Sequence, residues 1–216
     1  MTGFRHLHDR EVHQGYIWSV AVGTFEAPDG STFERDIVRS PGAVAAVPLL
    51  FDAEGNASVV LVRQYRAPYD EFVIEVPAGM RDVADEPTAD TARRELIEEV
   101  GLHAGHLEEL TRFYPSAGMT DSVLHLFVAT ELTPVSQELH GPEEEHLEVL
   151  HVPFETALAM VDDGRIRDAK TIIGLLLVAR RLERGDVGAE ARPDTGRTID
   201  TAGSSQHDRA SMIEPA

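Results

Sequence analysis

The sequence predicts an α/β chain folded as an α/β/α sandwich around a mixed sheet, with an additional N-terminal β-hairpin. Three observations lead there. Apolar, β-branched runs of strand length alternate loosely with amphipathic stretches of helix length, without the regular βαβ units of a doubly wound sheet. Two of those runs lie at the N-terminal end around a Pro28-Asp29-Gly30 turn. Past Asp186 the composition shifts to Gly, Ser, Thr, Asp and Arg with little apolar content.

Element by element, Tyr16 to Phe25 and Thr32 to Val38 read as the two arms of the hairpin. After Pro41-Gly42, Ala43 to Leu50 and Ser58 to Gln64 form two central strands separated by a turn at Asp52 to Asn56, and Phe72 to Val76 is a shorter third. Pro87 to Val100 has helical spacing, with Pro in its first turn and Gly101 closing it, which is the expected asymmetry of helix ends. Leu107 to Tyr114 and Val123 to Glu131 are extended on either side of a loop, residues 115–120, and a second loop from Pro134 to Glu145 precedes a strand at Leu147 to Val152. Phe154 to Val161 and Asp168 to Arg184 complete the helices. The chain therefore divides into a hairpin region at 1–42, a principal domain at 43–185 and a tail at 186–216 expected to be disordered.

Hydrophobic residues make up 42% of the chain, enough for one real core. Acidic residues outnumber basic ones 38 to 19, and a net charge of -19 argues against a protein that coats nucleic acid or an anionic membrane. Such a chain handles phosphates through locally placed Arg or through divalent cations. With no cysteine, disulfides, thiolate metal sites and cysteine nucleophiles are excluded, and the cysteine-free composition points to the cytoplasm. Nothing in the sequence has the length or apolarity of a signal peptide or membrane span. The ten histidines are scattered, without a His-Glu-any-any-His spacing, and suggest no zinc site.

The segment from Gly79 to Leu102 carries the chemistry. At about 100° per residue, Glu95 and Glu99 lie one turn apart on one helix face with Glu98 on the flank, so three carboxylates converge. Like charges so close destabilise a helix unless a cation lies between them, and Mg²⁺, with Mn²⁺ as a substitute, is the hard oxygen-seeking ion that suits them. Ala92, Leu96 and Val100 form a neighbouring apolar stripe that would pack the helix on the sheet. Arg94 stands one turn before Glu98, where it can orient that carboxylate. The bland alternative is an amphipathic surface helix with a solvated charged face.

This segment resembles the Nudix box: Gly, five residues, Glu, seven residues, Arg-Glu, aliphatic, any, Glu-Glu, any, Gly, aliphatic. The match is complete from Glu86 to Leu102, while six residues rather than five separate Gly79 from Glu86. The resemblance implies a Nudix-type sandwich that hydrolyses a nucleoside diphosphate linked to another moiety, with Glu95, Glu99 and the Ala78 carbonyl as metal ligands. Glu98 is implied as a further ligand or its immediate support, counted with Arg94 among the catalytic residues. Glu75-Val76-Pro77-Ala78-Gly79-Met80 and Val62-Arg63-Gln64-Tyr65-Arg66 resemble the ADP-ribose pyrophosphatase branch, with Glu75 and Arg66 at substrate-binding positions. So does the substrate loop Ser116-Ala117-Gly118, although the usual Pro is Ala117 and an expected acidic residue falls on Ser122.

In that branch the N-terminal hairpin exchanges between the subunits of a homodimer. Tyr16, or Trp18 beside it, falls where the partner supplies a ring to the base, and Arg35 where it supplies an arginine. All three also have plain readings, the rings as strand core and Arg35 as a surface charge. An acidic run on a loop is most often solvated, but in the resembling family this loop brings a carboxylate over the metals. By register Glu143 is then the general base and Glu145 a metal ligand, with Glu144 between them.

The implied reaction is ADP-ribose plus water giving AMP and ribose 5-phosphate. Hydrolysis of another nucleotide sugar such as GDP-mannose is the close rival. A module that senses ADP-ribose without cleaving it is disfavoured because Glu95, Glu98 and Glu99 are all present.

Overall fold

The structure, a computed structural model, describes residues 3–137 and 146–187. Its N-terminal unit is a three-stranded antiparallel sheet of β1 (Arg5–Gln14), β2 (Ser19–Glu26) and β3 (Thr32–Arg39), in that order. The hairpin expected from sequence is β2 and β3. Strand β1 was not expected, because Arg-His-Leu-His-Asp-Arg-Glu-Val-His-Gln offers no apolar face and every residue of it is exposed. Its cross-strand pairing with β2 supplies what periodicity does not.

The main sheet comprises β4 (Ala43–Phe51), β5 (Ala57–Arg66), β6 (Glu71–Glu75), β7 (Ala78–Met80), β8 (Leu102–Phe113), β9 (Leu124–Pro134) and β10 (Glu148–Pro153). The order is β10-β5-β4-β9-β8, with β6 on β5 and β7 on β4. Only the β4–β9 pair is parallel, so the sheet is mixed as expected. β4 and β5 pair only near their shared turn, Leu49 to Phe51 against Ala57 to Val59, and then splay apart. Into that gap the chain inserts residues 71–80: β6 runs beside the far half of β5 and β7 beside the first residues of β4. Ala46 N donates to Pro77 O at 3.0 Å and closes the gap. The entry to the carboxylate segment is thereby set into the middle of the sheet.

Helices α1 (Thr88–Val100), α2 (Phe154–Asp162) and α3 (Ala169–Arg184) cover the two faces. Val44, Ala46, Val60 and Val62 turn to one face and bury Ala92, Leu96 and Val100 of α1. Ala45, Val47, Leu49, Val59 and Leu61 turn to the other and bury Phe154, Ala157 and Met160 of α2 with Leu175 and Val178 of α3. Strands covered on both sides need apolar residues at every position, which is why 43–47 and 59–62 read as unbroken hydrophobic runs. Each fully buried Leu or Val contributes roughly 1.5–3 kcal/mol.

Helix boundaries match expectation to within a residue, with Pro87 and Asp168 as N-caps, and Gly101 closes α1 in the left-handed conformation at φ 62°. β8 begins five residues earlier than the expected Leu107 because its first half is a hydrogen-bonded partner of β9 rather than an apolar run. Tyr16 and Trp18 lie in the turn between β1 and β2, closed by Gly15 N donating to Trp18 O at 2.8 Å, and not in a strand. Val187 packs against the core. The remainder of the expected tail, 188–216, and the loop residues Glu143, Glu144 and Glu145 lie outside the described residues.

Candidate active site

The carboxylates of α1 meet the backbone of β7. Glu95 and Glu99 are 8% and 4% exposed, on the flank of the apolar stripe that seats the helix. Ala78 N donates to Glu99 Oε2 at 2.9 Å. Glu95 lies directly over Gly79: a Cβ built there would stand 2.0 Å from Glu95 Cδ. Gly79 is thus required by a close approach of backbone to carboxylate. α1 and β7 are pinned together at both acids.

Arg94 is the cation among these acids. Nη1 lies 3.0 Å from Glu95 Oε1 and 2.9 Å from Glu98 Oε2, while Nη2 reaches Asp82 at 3.3 Å and Glu86 at 3.4 Å. Burial works to lower the guanidinium pKa, but the charges of Glu95, Glu98 and Glu86 outweigh it and hold Arg94 above its ordinary value. Among the described residues no group of three His, Asp or Glu side chains is arranged to hold an ion by itself. Instead Glu95 and Glu99 approach β7, and Glu98 is drawn to Arg94. The donors fit a hard divalent cation nonetheless: Glu95 and Glu99 are two buried carboxylates one turn apart, beside the main chain of Ala78. The extra residue between Gly79 and Glu86 is absorbed in the loop, where Asp85 adopts φ 61° and Glu86 N donates to Val83 O at 3.3 Å. Glu86 still reaches Arg94.

A second cluster adjoins the first through β6. Arg66 donates from Nε to Glu75 Oε1 at 2.6 Å and from Nη2 to Glu75 Oε2 at 2.8 Å, a bidentate clamp. Lys170 Nζ also bonds Glu75 Oε2, and it lies 3.0 Å from Asp168. Burial of Glu75 pushes its pKa up, but the hydrogen bond from Arg66 and the charges of Lys170 and Arg66 prevail and hold it below the ordinary value of 4.5. Arg66 is raised by its bond to Glu75, against burial, with help from the charges of Glu75, Glu99 and Asp168.

The substrate loop residues sit elsewhere along the sheet. Met119 N and Thr120 N both donate to Ser116 O at 3.0 Å, and Val38 N donates to Met119 O at 2.9 Å, tying the loop to β3. Between them is a cleft of about 360 Å³ lined by Arg35, Ala117 and Gly118 together with Ile37, Arg39 and Asp121. Three expected substrate-binding residues therefore share one cavity. Arg35 also stacks on Phe33, 4.8 Å from the ring centroid. Tyr16 is fully exposed and Trp18 is 54% exposed, so their plain reading as strand core does not hold. Asp121 pairs with Arg39 at 3.0 Å and accepts from Ser40 N at 3.0 Å, so an acid does stand one residue before Ser122.

Sequence reasoning passed over Lys170, Asp168 and Thr171 around Glu75, and Asp82 around Arg94. The one available signal was Asp168, an N-cap residue before an apolar helix; which buried acid its neighbour Lys170 meets is set by tertiary structure alone.

The model of the NUDIX domain matches residues 40–173, and the chain belongs to that family. It is similar to the ADP-ribose pyrophosphatase of Bacillus subtilis, 37% identical over 161 residues that cover 74% of this chain and 84% of that one. It is also similar to the GDP-mannose pyrophosphatase of Cronobacter sakazakii, 40% identical over 136 residues covering 59% and 69% respectively. Among solved structures, a crystal structure of an ADP compounds hydrolase shares the fold with a TM-score of 0.72 at 24% identity, over 85% of this chain and 96% of that one.

Proposed function

We propose that the protein is a divalent-cation-dependent hydrolase that splits the diphosphate of ADP-ribose into AMP and ribose 5-phosphate. The observation that carries this reading is the pair of buried carboxylates, Glu95 and Glu99, lodged against Ala78 and Gly79 with Arg94 beside them. Similarity to an ADP-ribose pyrophosphatase over most of both chains supports the choice of substrate. Mg²⁺, or Mn²⁺ in its place, held by Glu95, Glu99, the Ala78 carbonyl and Glu145, would supply neutralisation of the diphosphate and a bound water of lowered pKa.

The chain's own groups do the rest. Water adds to one phosphorus, the bridging P–O bond breaks, and Glu143 takes the proton. Arg94 holds Glu98 and Glu95 in register, and Arg66 offers its guanidinium to the diphosphate. Arg35 borders the cleft for the nucleotide sugar with Ala117 and Gly118 of its own chain, where the family resemblance has the partner supply that arginine, and Tyr16 and Trp18 stack on the base from the partner subunit of a homodimer. The exposure of both rings on a turn supports that last assignment, since an unburied aromatic pair offers a face to a base. The unit 1–42 is then the dimerising element and 43–185 the catalytic domain. No helix among the described residues is long and apolar enough to cross a membrane, and we place the enzyme in the cytoplasm on its cysteine-free composition.

A second reading has specific support: similarity to a GDP-mannose pyrophosphatase favours a nucleotide sugar with another base, cleaved by the same groups. A panel of ADP-ribose, GDP-mannose, dinucleotides and nucleoside triphosphates with Mg²⁺, products resolved by chromatography, separates the two. AMP and ribose 5-phosphate formed fastest, and lost in Glu99→Gln, is the expected result. Faster turnover of GDP-mannose would replace the first reading with the second, and a Glu99→Gln enzyme as active as wild type would remove the metal assignment.

A further inference from the structure

We infer that Lys170, at the start of α3, acts through Glu75 to present Arg66 to the substrate's diphosphate, so that Lys170 and Glu75 are positioning residues for that arginine. The inference rests on the reading of Arg66 as a diphosphate ligand. Three charges from three elements meet here, Arg66 from β5, Glu75 from β6 and Lys170 from α3. Their exposure is graded: the side chains of Glu75 and Lys170 are 3% and 11% exposed, whereas that of Arg66 is 38% exposed. Of the charged groups joined here, Arg66 is the most open to solvent, ahead of Asp168, which pairs with Lys170 and is 20% exposed.

Both Glu75 oxygens are engaged, Oε1 by Arg66 and Oε2 by Arg66 and Lys170 together. That geometry leaves the acid little to offer a ligand directly, and a diphosphate would compete with it for Arg66. Lys170 shifts the competition. By sharing the charge of Glu75 it leaves more of the Arg66 field for an incoming anion, while the bidentate clamp keeps the guanidinium plane fixed. The mount is rigid as well: Val76 N donates to Thr171 Oγ1 at 2.8 Å, and Thr171 donates to Asp168 through N at 2.9 Å and through Oγ1 at 2.6 Å. The first turn of α3 is thus bolted to the residue that follows Glu75. A buried ion cluster often contributes less stability than an apolar core of the same volume. Its placement one element from Glu99, which also acts on Arg66 through its charge, points to a role in binding.

The test is a double-mutant cycle on Lys170→Met and Arg66→Ala, read by calorimetric binding of a non-hydrolysable diphosphate analogue of the nucleotide sugar that wild type cleaves, and by steady-state kinetics. Lys170→Met is expected to weaken analogue binding and raise KM about tenfold with kcat changed less than about threefold, while Lys170→Arg restores both. In the Arg66→Ala background the same change should have no further effect. Equal loss in both backgrounds would overturn the inference, as would failure of Lys170→Arg to restore binding in a folded protein. If Lys170→Met does not fold, Lys170→Gln carries the same cycle with the same outcomes. Because the analogue follows whichever substrate the panel identifies, rejection of ADP-ribose leaves this test standing, and an additive cycle rejects the positioning role alone.

Discussion

Gly79 shows how narrowly single residues define the site. Its missing side chain is the space in which the Glu95 carboxylate lies, with the nearest carboxylate atom 2.0 Å from where a methyl group would be. In Gly79→Ala the acid must therefore leave its place. Displacement of a reacting group by about an ångström costs on the order of a hundredfold in rate, and kcat in Gly79→Ala is expected to drop by at least that factor. The far-ultraviolet circular dichroism spectrum should be retained, because the neighbouring Leu96 and Val100 keep their seats on the sheet. A variant that turned over normally would show that Glu95 has no role at this position.

At the scale of elements, three pieces build the candidate site: β7 wedged between the splayed β4 and β5, α1 laid across it, and the first turn of α3 fastened to the link between β6 and β7. Asp168 is the residue on which the last depends, accepting from Thr171 N and Oγ1 and pairing with Lys170. Loss of a helix N-cap costs about 1 kcal/mol, and the lost pair with partly buried Lys170 adds to it. Asp168→Ala is expected to lower Tm by several degrees, since about 1 kcal/mol corresponds to roughly 2–4 °C in a chain of this size. Differential scanning calorimetry against Glu155→Ala, a change at an exposed first-turn acid of α2, checks this. Equal melting of the two variants would show that α3 is not held there.

Across the whole molecule, a strongly acidic chain keeps buried acids by pairing them. Glu75 is the clearest case, and its linkage to pH has a definite sign. Its folded pKa is depressed below 4.5, so the unfolded chain binds its proton first. The stability it contributes is fully present above about pH 4.5 and is lost as pH falls through the lower folded value. Urea unfolding of wild type and Glu75→Gln between about pH 7 and about pH 3 should give curves well separated at neutral pH that converge on acidification. A separation that did not shrink at low pH would mean that Glu75 is not ionised in the folded protein.

What the sequence by itself determined was whatever is encoded by local spacing. The α/β/α class, the helix from residue 87 to 100 with its glycine stop, the central strands and the line of Glu95, Glu98 and Glu99 beside an apolar stripe all follow from continuous apolar runs, end signals and a period of 3.6 residues, and the tertiary structure retains each to within a residue at the helix start. The tertiary structure alone decided the contacts between segments distant in sequence: β1, whose polar residues extend only because β2 pairs with them; the turn that leaves Tyr16 and Trp18 outside any strand; and the distribution of the three acids between β7 and Arg94. It also decided that Lys170 meets Glu75 across 95 positions. Hydrophobic periodicity records which face of an element is buried, but it carries no information about which distant charge will be found there.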